Sequence, residues 1–345
     1  MKFVVQRLND AKPILLPEST NSWESRVVLN PACVYVDSEA EISMISDLLQ
    51  LRDFRKRPLG DNAGISVLIY RAQGQGQFSK SRLGLAILSH DLKLLYRHPS
   101  PVVVPEYEFE NLGVEDPRVS RIGSNYIMLY TGYSNLCESE ALSTDASGKT
   151  SICMAISSNL ITWTKLGPVK GDINRVSNKN GALFPDQIQG SYYMLHRPMA
   201  GDNSMSIHLA RCDKLDGEWE SLGLFMEAEQ NPNFKKSWIG AGAPPITVGF
   251  GEYLMIYHTG HYKWDDTKQY NLGLCHVCYR NAFMITDRVE NMLTPTTHYE
   301  TFGDPELGVN NTVFVCGAYQ LCDEIFFPYA GADSVILAAK LKLTS

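Results

Sequence analysis

The sequence predicts an all-β protein, a five-bladed β-propeller. Short apolar and aromatic strands recur along the chain, each entered through polar residues and proline and each ending in Tyr or His. The end points Tyr70, Tyr130, His196, Tyr257 and Tyr329 lie 60, 66, 61 and 72 residues apart. Near-regular spacing of this length is typical of repeat proteins. Long helical periodicity is scarce, and four short strands repeated five times around an axis form a propeller.

The individual copies support this prediction in chain order. The five copies run over 30–70, 113–130, 183–196, 243–257 and 311–329, the last being degenerate. β-branched and aromatic runs bounded by Gly, Asn, Asp and Pro predict a further strand after each copy, at 82–87, 151–156, 206–210, 272–277 and 334–338. Outer strands are predicted at 160–164 and 217–221. A two-sheet sandwich or two separate β-domains is the alternative. Because no linker separates the copies, we expect 1–345 to form one five-bladed domain.

The first copy contains an insertion at about 39–64. Its start, 42–54, has a helical pattern, and a basic cluster follows, formed by Arg52, Arg55, Lys56 and Arg57. This cluster is either a solvated loop or the edge of an active site or subunit interface.

Composition describes an ordinary globular protein, with 44% hydrophobic and 20% charged residues. The net charge of −7 and the lack of a long basic stripe argue against general nucleic-acid binding. No apolar run approaches the ~20 residues that span a bilayer, and the N-terminus becomes charged before a signal-peptide core can form. We therefore expect a cytoplasmic protein without a membrane partner.

The eight cysteines do not form a disulfide framework. Most lie inside predicted strands, where a thiol behaves as a small apolar group. Cys275 and Cys278 have the C-x-x-C spacing, but strand alternation sends them to opposite faces and no second Cys/His pair follows. We expect no metal.

Polar residues of varied type occupy equivalent points of the repeats, where inner strands of a propeller meet a central pocket. The strand entries hold Asn30, Glu115, Asp116, Lys179, Asn180, Asn310 and Asn311, and the strand ends are followed by Arg71, Thr131, Arg197, His258 and Asp333. Carboxylates bind hydroxyls and move protons, and Arg or His binds phosphate oxygens. This ring suits a sugar that carries or meets a phosphate.

Each of these residues also has a structural interpretation. Asp116 and Arg118 can form a local pair in a strand-entry turn. His196 and His258 can be core histidines, and Arg71 and Lys179 can form inter-blade salt bridges. Their coincidence in the repeat register favours the functional interpretation.

Ordered motifs over nearly the whole chain resemble glycoside hydrolase family 130. They include Gly113-Val114-Glu115-Asp116-Pro117-Arg118, His196-Arg197-Pro198 and Ala330-Gly331-Ala332-Asp333. That family comprises five-bladed inverting β-mannoside phosphorylases and some β-1,2-mannosidases. The chain is also similar to glycosyltransferase family 108, protist enzymes that build and phosphorolyse β-1,2-mannan.

The resemblance implies roles for individual residues. Asp116 would be the catalytic acid, protonating the glycosidic oxygen through the mannose 3-hydroxyl while phosphate attacks C1 from the opposite face. The mannose-binding residues would be Asn30, Arg71, Lys179, Asn180 and Asp333, with Lys179 where the family often has Arg. The phosphate-binding residues would be Arg197, His258 and Tyr270.

One position departs from the family pattern. Phosphorylases of the family usually carry a phosphate-binding Lys before Ile-Gly-x-Gly, and this chain has Trp238 there, with Lys235 and Lys236 nearby. Loss of basic phosphate ligands is also a property of the family's hydrolases, which use a carboxylate base to activate water. Glu227 and Glu229 are the nearest candidates for that base.

The leading hypothesis is an inverting enzyme that interconverts β-1,2-mannan or manno-oligosaccharide plus phosphate with α-mannose 1-phosphate, with GDP-mannose as a second candidate donor. Inorganic phosphate would be a co-substrate, and no cofactor is implied. The alternatives are an inverting β-1,2-mannosidase and a non-catalytic carbohydrate-binding propeller. Family members often assemble, which makes a homo-oligomer a further expectation from the resemblance.

Overall fold

Five antiparallel sheets surround a central axis in the computed structural model, which describes residues 1–51, 64–136, 148–199, 205–229 and 231–344. The five-bladed β-propeller predicted from the repeats is confirmed. The innermost strand of the first blade contacts inner strands of both the second and the fifth blades, so the blades close a ring.

In the first three blades, the strands follow chain order from the axis outward. Blade 1 contains β2 (Val27–Val36), β3 (Ile65–Gln73), β4 (Arg82–Ser89) and β5 (Leu94–Arg97). Blade 2 contains β6 (Gly113–Ile122), β7 (Asn125–Ser134), β8 (Lys149–Ser157) and β9 (Thr164–Pro168). Blade 3 contains β10 (Asn178–Leu183), β11 (Tyr192–Pro198), β12 (Ile207–Cys212) and β13 (Glu220–Met226).

The remaining two blades each carry an extra short strand. Blade 4 contains β14 (Phe234–Ala241), β16 (Glu252–Lys263), β17 (Lys268–Tyr279) and β18 (Phe283–Leu293), with β15 (Ile246–Gly249) paired to β16. Blade 5 contains β19 (Val313–Val315), β21 (Glu324–Gly331), β22 (Val335–Leu343) and, outermost, the N-terminal strand β1 (Phe3–Arg7), with β20 (Tyr319–Leu321) paired to β21. The repeat analysis does not predict that β1 completes the last blade.

Hydrophobic clusters fill the spaces between neighbouring blades. Because successive side chains of a strand point to opposite faces, one strand contributes to two clusters. On β3, Val67 and Ile69 pack towards blade 2, whereas Leu68 and Tyr70 pack towards blade 5. Burial of both faces explains why the inner strands are continuous apolar runs without alternation.

Part of the predicted insertion is helical. Helix α1 (Glu39–Leu48) begins after Ser38, whose hydroxyl accepts a hydrogen bond from the Glu41 amide. Its buried Ile42 and Ile45 join the cluster between blades 1 and 2. The helix ends at Leu48, whereas the predicted helical pattern extends over 42–54. The basic cluster at 52–57 lies outside the described residues.

The other α-helix among the described residues is the short α2 (His298–Thr301). Neither of these helices has the length and apolarity that a membrane crossing requires.

Candidate active site

Three neighbouring inner strands carry a β-bulge at the same level. In each, two residues of the inner strand face one residue of the second strand: Tyr70 in blade 1, Tyr130 in blade 2 and His196 in blade 3. The first residue of each bulge has a positive φ, 47° at Asn30, 50° at Asp116 and 60° at Asn180. Bulges turn side chains out of the regular pleat and are frequent beside active sites.

The residue types explain why the chain tolerates these bulges. Asn and Asp adopt the left-handed region more readily than other non-glycine residues. The bulges bring Asn30 and Asp116 together, with Asn30 Nδ2 donating to Asp116 Oδ1 over 2.8 Å. Repeat positions that are distant in sequence therefore meet at the propeller axis.

Two adjacent carboxylates, Glu115 and Asp116, lie among cations. Arg71 contacts both, with Nη2 2.8 Å from Glu115 Oε1 and Nη1 3.3 Å from Asp116 Oδ1. Ser81 Oγ accepts from Arg71 Nε over 2.8 Å, which fixes the guanidinium. Lys179 Nζ lies 3.9 Å from Glu115 Oε2. The inter-blade salt bridges considered as the structural alternative for Arg71 and Lys179 are therefore present, and they lie inside the site.

The pKa of Asp116 is held below its ordinary value. Burial of this carboxyl raises its pKa, but the charges of Arg71 and Arg118 and the hydrogen bond from Asn30 together outweigh that effect. Asp116 is therefore ionised at neutral pH in the unliganded protein.

Arg118 is a site residue that sequence reasoning assigns only to a local pair. It is 2% exposed, and its Nη1 donates to the Asp116 backbone carbonyl over 3.0 Å rather than to the carboxylate. Its Nε and Nη2 donate to the carbonyls of Gly242 and Ala241 in blade 4. Arg118 thus connects blade 2 to blade 4. Its place in the motif Asp116-Pro117-Arg118 is the sequence feature that could have identified it as a site residue.

The predicted phosphate ligands Arg197, His258 and Tyr270 form a second group, which we call the anion pocket. Arg197 Nη1 lies 3.5 Å from His258 Nε2, and the His258 and Tyr270 ring centroids are 6.0 Å apart. Asn180 Nδ2 lies 3.3 Å from the same His258 nitrogen, which connects the pocket to the bulges. The anion pocket and Asp116 are parts of one site.

His258 is a neutral ring in this pocket. Burial and the charges of Arg197 and Arg118 lower its pKa well below the ordinary histidine value. Since Nε2 faces the Asn180 amide and Arg197 donors, the hydrogen-bond pattern assigns the proton to Nδ1. His258 supplies no positive charge, and its Nδ1 has no hydrogen-bond partner among the described residues.

Asp333 follows the end of β21 and has a φ of 49°. Burial raises the pKa of its carboxyl to about 6, because the charges of Arg71 and Lys268 do not fully offset burial and the nearby Asp116. These electrostatic contacts place Asp333 beside the carboxylates, where the sequence analysis expected a mannose ligand.

Several buried polar atoms of this site have no hydrogen-bond partner among the described residues. They are Asn30 Oδ1, Arg197 Nε, His258 Nδ1 and Asp333 Oδ1. Buried polar groups are normally paired, and these four lie on residues predicted to hold mannose or phosphate. The site is therefore arranged to receive a polar ligand.

The core-histidine interpretation fits His196 in part, because its Nδ1 is paired but its buried Nε2 has no hydrogen-bond partner among the described residues. It is buried, contacts Asn178, and burial lowers its pKa to about 3. The two carboxylates considered for a hydrolytic base lie elsewhere. Glu227 and Glu229 are exposed and contact Arg288 and Glu290 on β18, the outermost strand of blade 4.

The position of the family's lysine is filled by an aromatic side chain. Trp238 is 2% exposed and packs against Tyr262 and Tyr270. Lys235 points to the surface, where it pairs with Asp266 over 2.6 Å, so it does not replace the missing lysine. Within the described ranges, no three His, Cys, Asp or Glu side chains are grouped to hold a metal ion.

Comparison with known proteins identifies the family. The family model of glycoside hydrolase family 130, described as β-1,4-mannooligosaccharide phosphorylase, matches residues 64–344. A 1,2-β-oligomannan phosphorylase from Thermoanaerobacter sp. (strain X514) is 32% identical, covering 98% of this chain and 97% of its own length. A β-1,2-mannobiose phosphorylase from the same strain is 28% identical, covering 99% and 98%.

Among solved structures, a β-1,2-mannobiose phosphorylase from Listeria innocua in complex with β-1,2-mannobiose has the same fold. Its TM-score is 0.72 at 17% identity, over 98% of this chain and 96% of that chain. The sequence matches extend over nearly the full length, as the motifs do. This chain belongs to glycoside hydrolase family 130.

Proposed function

We propose that this protein is an inverting β-1,2-mannoside phosphorylase. It converts a β-1,2-linked manno-oligosaccharide and inorganic phosphate into α-mannose 1-phosphate and a shortened oligosaccharide. The observation that carries the proposal is the placement of the Asp116 carboxyl beside the anion pocket, in a site whose buried donors and acceptors are unpaired. We further propose that 1–345 acts as one catalytic domain, with phosphate as co-substrate and no other cofactor.

The relatives support the β-1,2 linkage. The family model carries a β-1,4 description, but the two relatives that cover nearly the whole chain are phosphorylases of β-1,2-linked substrates. The reverse direction, transfer of mannose to an acceptor from mannose 1-phosphate, uses the same site. Use of GDP-mannose and assembly into a homo-oligomer are additional proposals from the family resemblance.

The bonds and protons of the proposed step are all accounted for by the substrates and Asp116. A phosphate oxygen attacks C1 while the bond from C1 to the glycosidic oxygen breaks. The Asp116 proton passes through the mannose 3-hydroxyl to the departing oxygen, and the proton of hydrogen phosphate returns to Asp116. Fixed donors at Arg197 and His258 stabilise the anion throughout.

The low pKa of Asp116 in the free protein is compatible with an acid role only when phosphate is bound. An added anion beside Arg197 offsets the positive potential that lowers the Asp116 pKa, so it favours the protonated carboxyl. Phosphate would thus be the nucleophile, and its charge would also favour the protonated form of Asp116 that the acid role requires.

The test is incubation of the protein with β-1,2-mannobiose, with and without inorganic phosphate, while mannose 1-phosphate and free mannose are followed. We expect mannose 1-phosphate only when phosphate is present, and a much lower rate with β-1,4-mannobiose. Asp116→Asn, which keeps an oxygen for Asn30, should reduce kcat by about 10²–10⁴-fold. Free mannose formed equally without phosphate would instead establish a mannosidase.

A further inference from the structure

The anion pocket contains less positive charge than its residue types suggest. Arg197 contributes a guanidinium, but His258 is neutral and Tyr270 contributes a phenol ring and hydroxyl. Arg118 is already used by backbone carbonyls, and Arg71 is used by Glu115 and Asp116. Among these described residues, a phosphate dianion, or the phosphate group of a mannose 1-phosphate, therefore meets one uncommitted cation.

Lys268 lies at the edge of this pocket. It is the first residue of β17, two residues before Tyr270, so both side chains project from the same face of the sheet. Its Nζ is 5.0 Å from the Tyr270 ring centroid and 5.7 Å from that of Trp238. The Lys268 charge also acts on the half-buried Asp333 carboxyl in the site.

The surroundings of Lys268 hold the ammonium without neutralising it. Tyr262 is a third ring, with its centroid 6.0 Å from Nζ. Within the described part of the chain, no hydrogen bond or salt bridge engages Lys268 Nζ. Aromatic faces attract a cation but leave its hydrogen-bond donors available. The half-buried Lys268 is therefore positioned for an anion that is not part of the protein.

We propose that Lys268 is a ligand of the phosphate group, completing the anion pocket together with Arg197. The rings of Trp238, Tyr262 and Tyr270 position its ammonium, and its charge makes the site selective for substrates with a phosphate. This inference rests on the proposed function.

The experiment compares Lys268→Met, Lys268→Arg and the control Lys235→Gln, which removes a surface cation paired with Asp266. Loss of one charge-assisted contact predicts a rise of about 10- to 100-fold in the KM for phosphate in Lys268→Met. The KM for β-1,2-mannobiose should stay within about twofold. Lys268→Arg should recover most of the phosphate affinity, and Lys235→Gln should behave as wild type.

A structural or merely electrostatic role gives a different result. If Lys268 only acts as a counter-charge for Asp333, Lys268→Met will shift the pH profile and raise the KM for the mannoside while the phosphate KM is unchanged. That result would overturn the proposal. So would a larger effect on phosphate KM from Lys236→Gln than from Lys268→Met.

Calorimetric titration with inorganic phosphate separates this inference from the proposed function. If the wild-type protein binds phosphate but does not form mannose 1-phosphate, the proposed function fails, and weaker phosphate binding by Lys268→Met still supports the inference. Equal binding by both proteins, or no binding by the wild type, overturns it.

Discussion

The Asp333 carboxyl lies where charges pull its pKa in opposite directions. Burial dominates and raises the pKa from 3.8 to about 6. The folded protein therefore binds this proton more tightly than the unfolded chain does. The stabilisation from protonated Asp333 is fully present below the unfolded value and is lost as pH rises through about 6.

Asp333→Asn mimics the neutral carboxyl and should remove this pH dependence. We expect the free energy of unfolding of Asp333→Asn to rise relative to that of the wild type between about pH 4 and pH 7, by about 2–3 kcal/mol, and the difference to level off above pH 7. Urea denaturation of both proteins at several pH values measures the difference. A difference that is constant over this range would contradict the assignment.

The sequence predicts which residues form the candidate site, but it does not predict the local geometry that brings them together. Asn30, Asp116 and Asn180 stand out because polar residues occur at equivalent points of apolar repeats. The bulges that turn them towards the axis depend on register shifts against the second strands. Such shifts leave little trace in a hydrophobic pattern. The sequence does not single out Lys268, because the three rings of blade 4 around its ammonium meet only in the folded sheet.

At the scale of the blade, the recurring tyrosine has a structural explanation. In three blades its hydroxyl donates to a fully buried glutamate that is also paired with a cation. These groups are Tyr70 with Glu24 and Arg97, Tyr130 with Glu110 and Lys165, and Tyr329 with Glu300 and Arg7. Blade 4 uses Arg288 beside Tyr257. The repeat signal in the sequence is therefore mainly a signal of blade assembly.

Tyr130→Phe tests this explanation. The hydroxyl is 2.9 Å from Glu110 Oε2, and removing it leaves a buried carboxylate oxygen without that donor. We expect a loss of about 1–3 kcal/mol in the free energy of unfolding. Tyr126→Phe is the matched control, because its partner Glu41 is partly exposed and also bound to Arg121. An equal loss in both variants would contradict a special role for the buried glutamate.

Gly240 on β14 lies directly against two side chains of the candidate site, so a larger residue there should disturb the site. A methyl group on Gly240 would lie 2.2 Å from Asn180 Nδ2 and 2.4 Å from His258 Nε2. Gly240→Ala must displace at least one of them, so we expect kcat/KM for phosphate to fall by about tenfold or more, with an overpacking cost of about 1–3 kcal/mol. Gly123→Ala is the control: its φ of 59° makes it strained, but it has open space around it. It should lose stability and keep its activity.

At the scale of the whole molecule, the ring closes through the two ends of the described chain. Strand β1 pairs with β22 from Phe3 opposite Leu343 to Arg7 opposite Ala339. The repeats predict the inner strands of the first four blades, because these strands follow one another in the chain. Outer strands are predicted only at 160–164 and 217–221, and these ranges overlap β9 and β13 only at the start of each strand. The fifth blade takes its outer strand from the N-terminal segment, and no local sequence pattern reports such a distant pairing.

Arg7 couples this closing strand to the interior. Its Nε lies 2.7 Å from Glu300 Oε1 and its Nη2 3.0 Å from Oε2, while Nη2 also donates to the Thr294 carbonyl over 2.8 Å. Glu300 has no exposed side-chain surface and also accepts from Tyr329. Removing the arginine leaves this buried carboxylate without its cation.

We therefore expect Arg7→Met to lower the free energy of unfolding by about 3–5 kcal/mol. The double variant Arg7→Met with Glu300→Leu should recover part of this loss, because it removes the uncompensated charge. Since β1 lies at the outside of blade 5, the KM values for phosphate and mannoside should not change at low denaturant. Urea denaturation followed by fluorescence and by activity measures both quantities. If activity is lost well before the fluorescence transition, the blades do not unfold together and closure by β1 is not what holds the site.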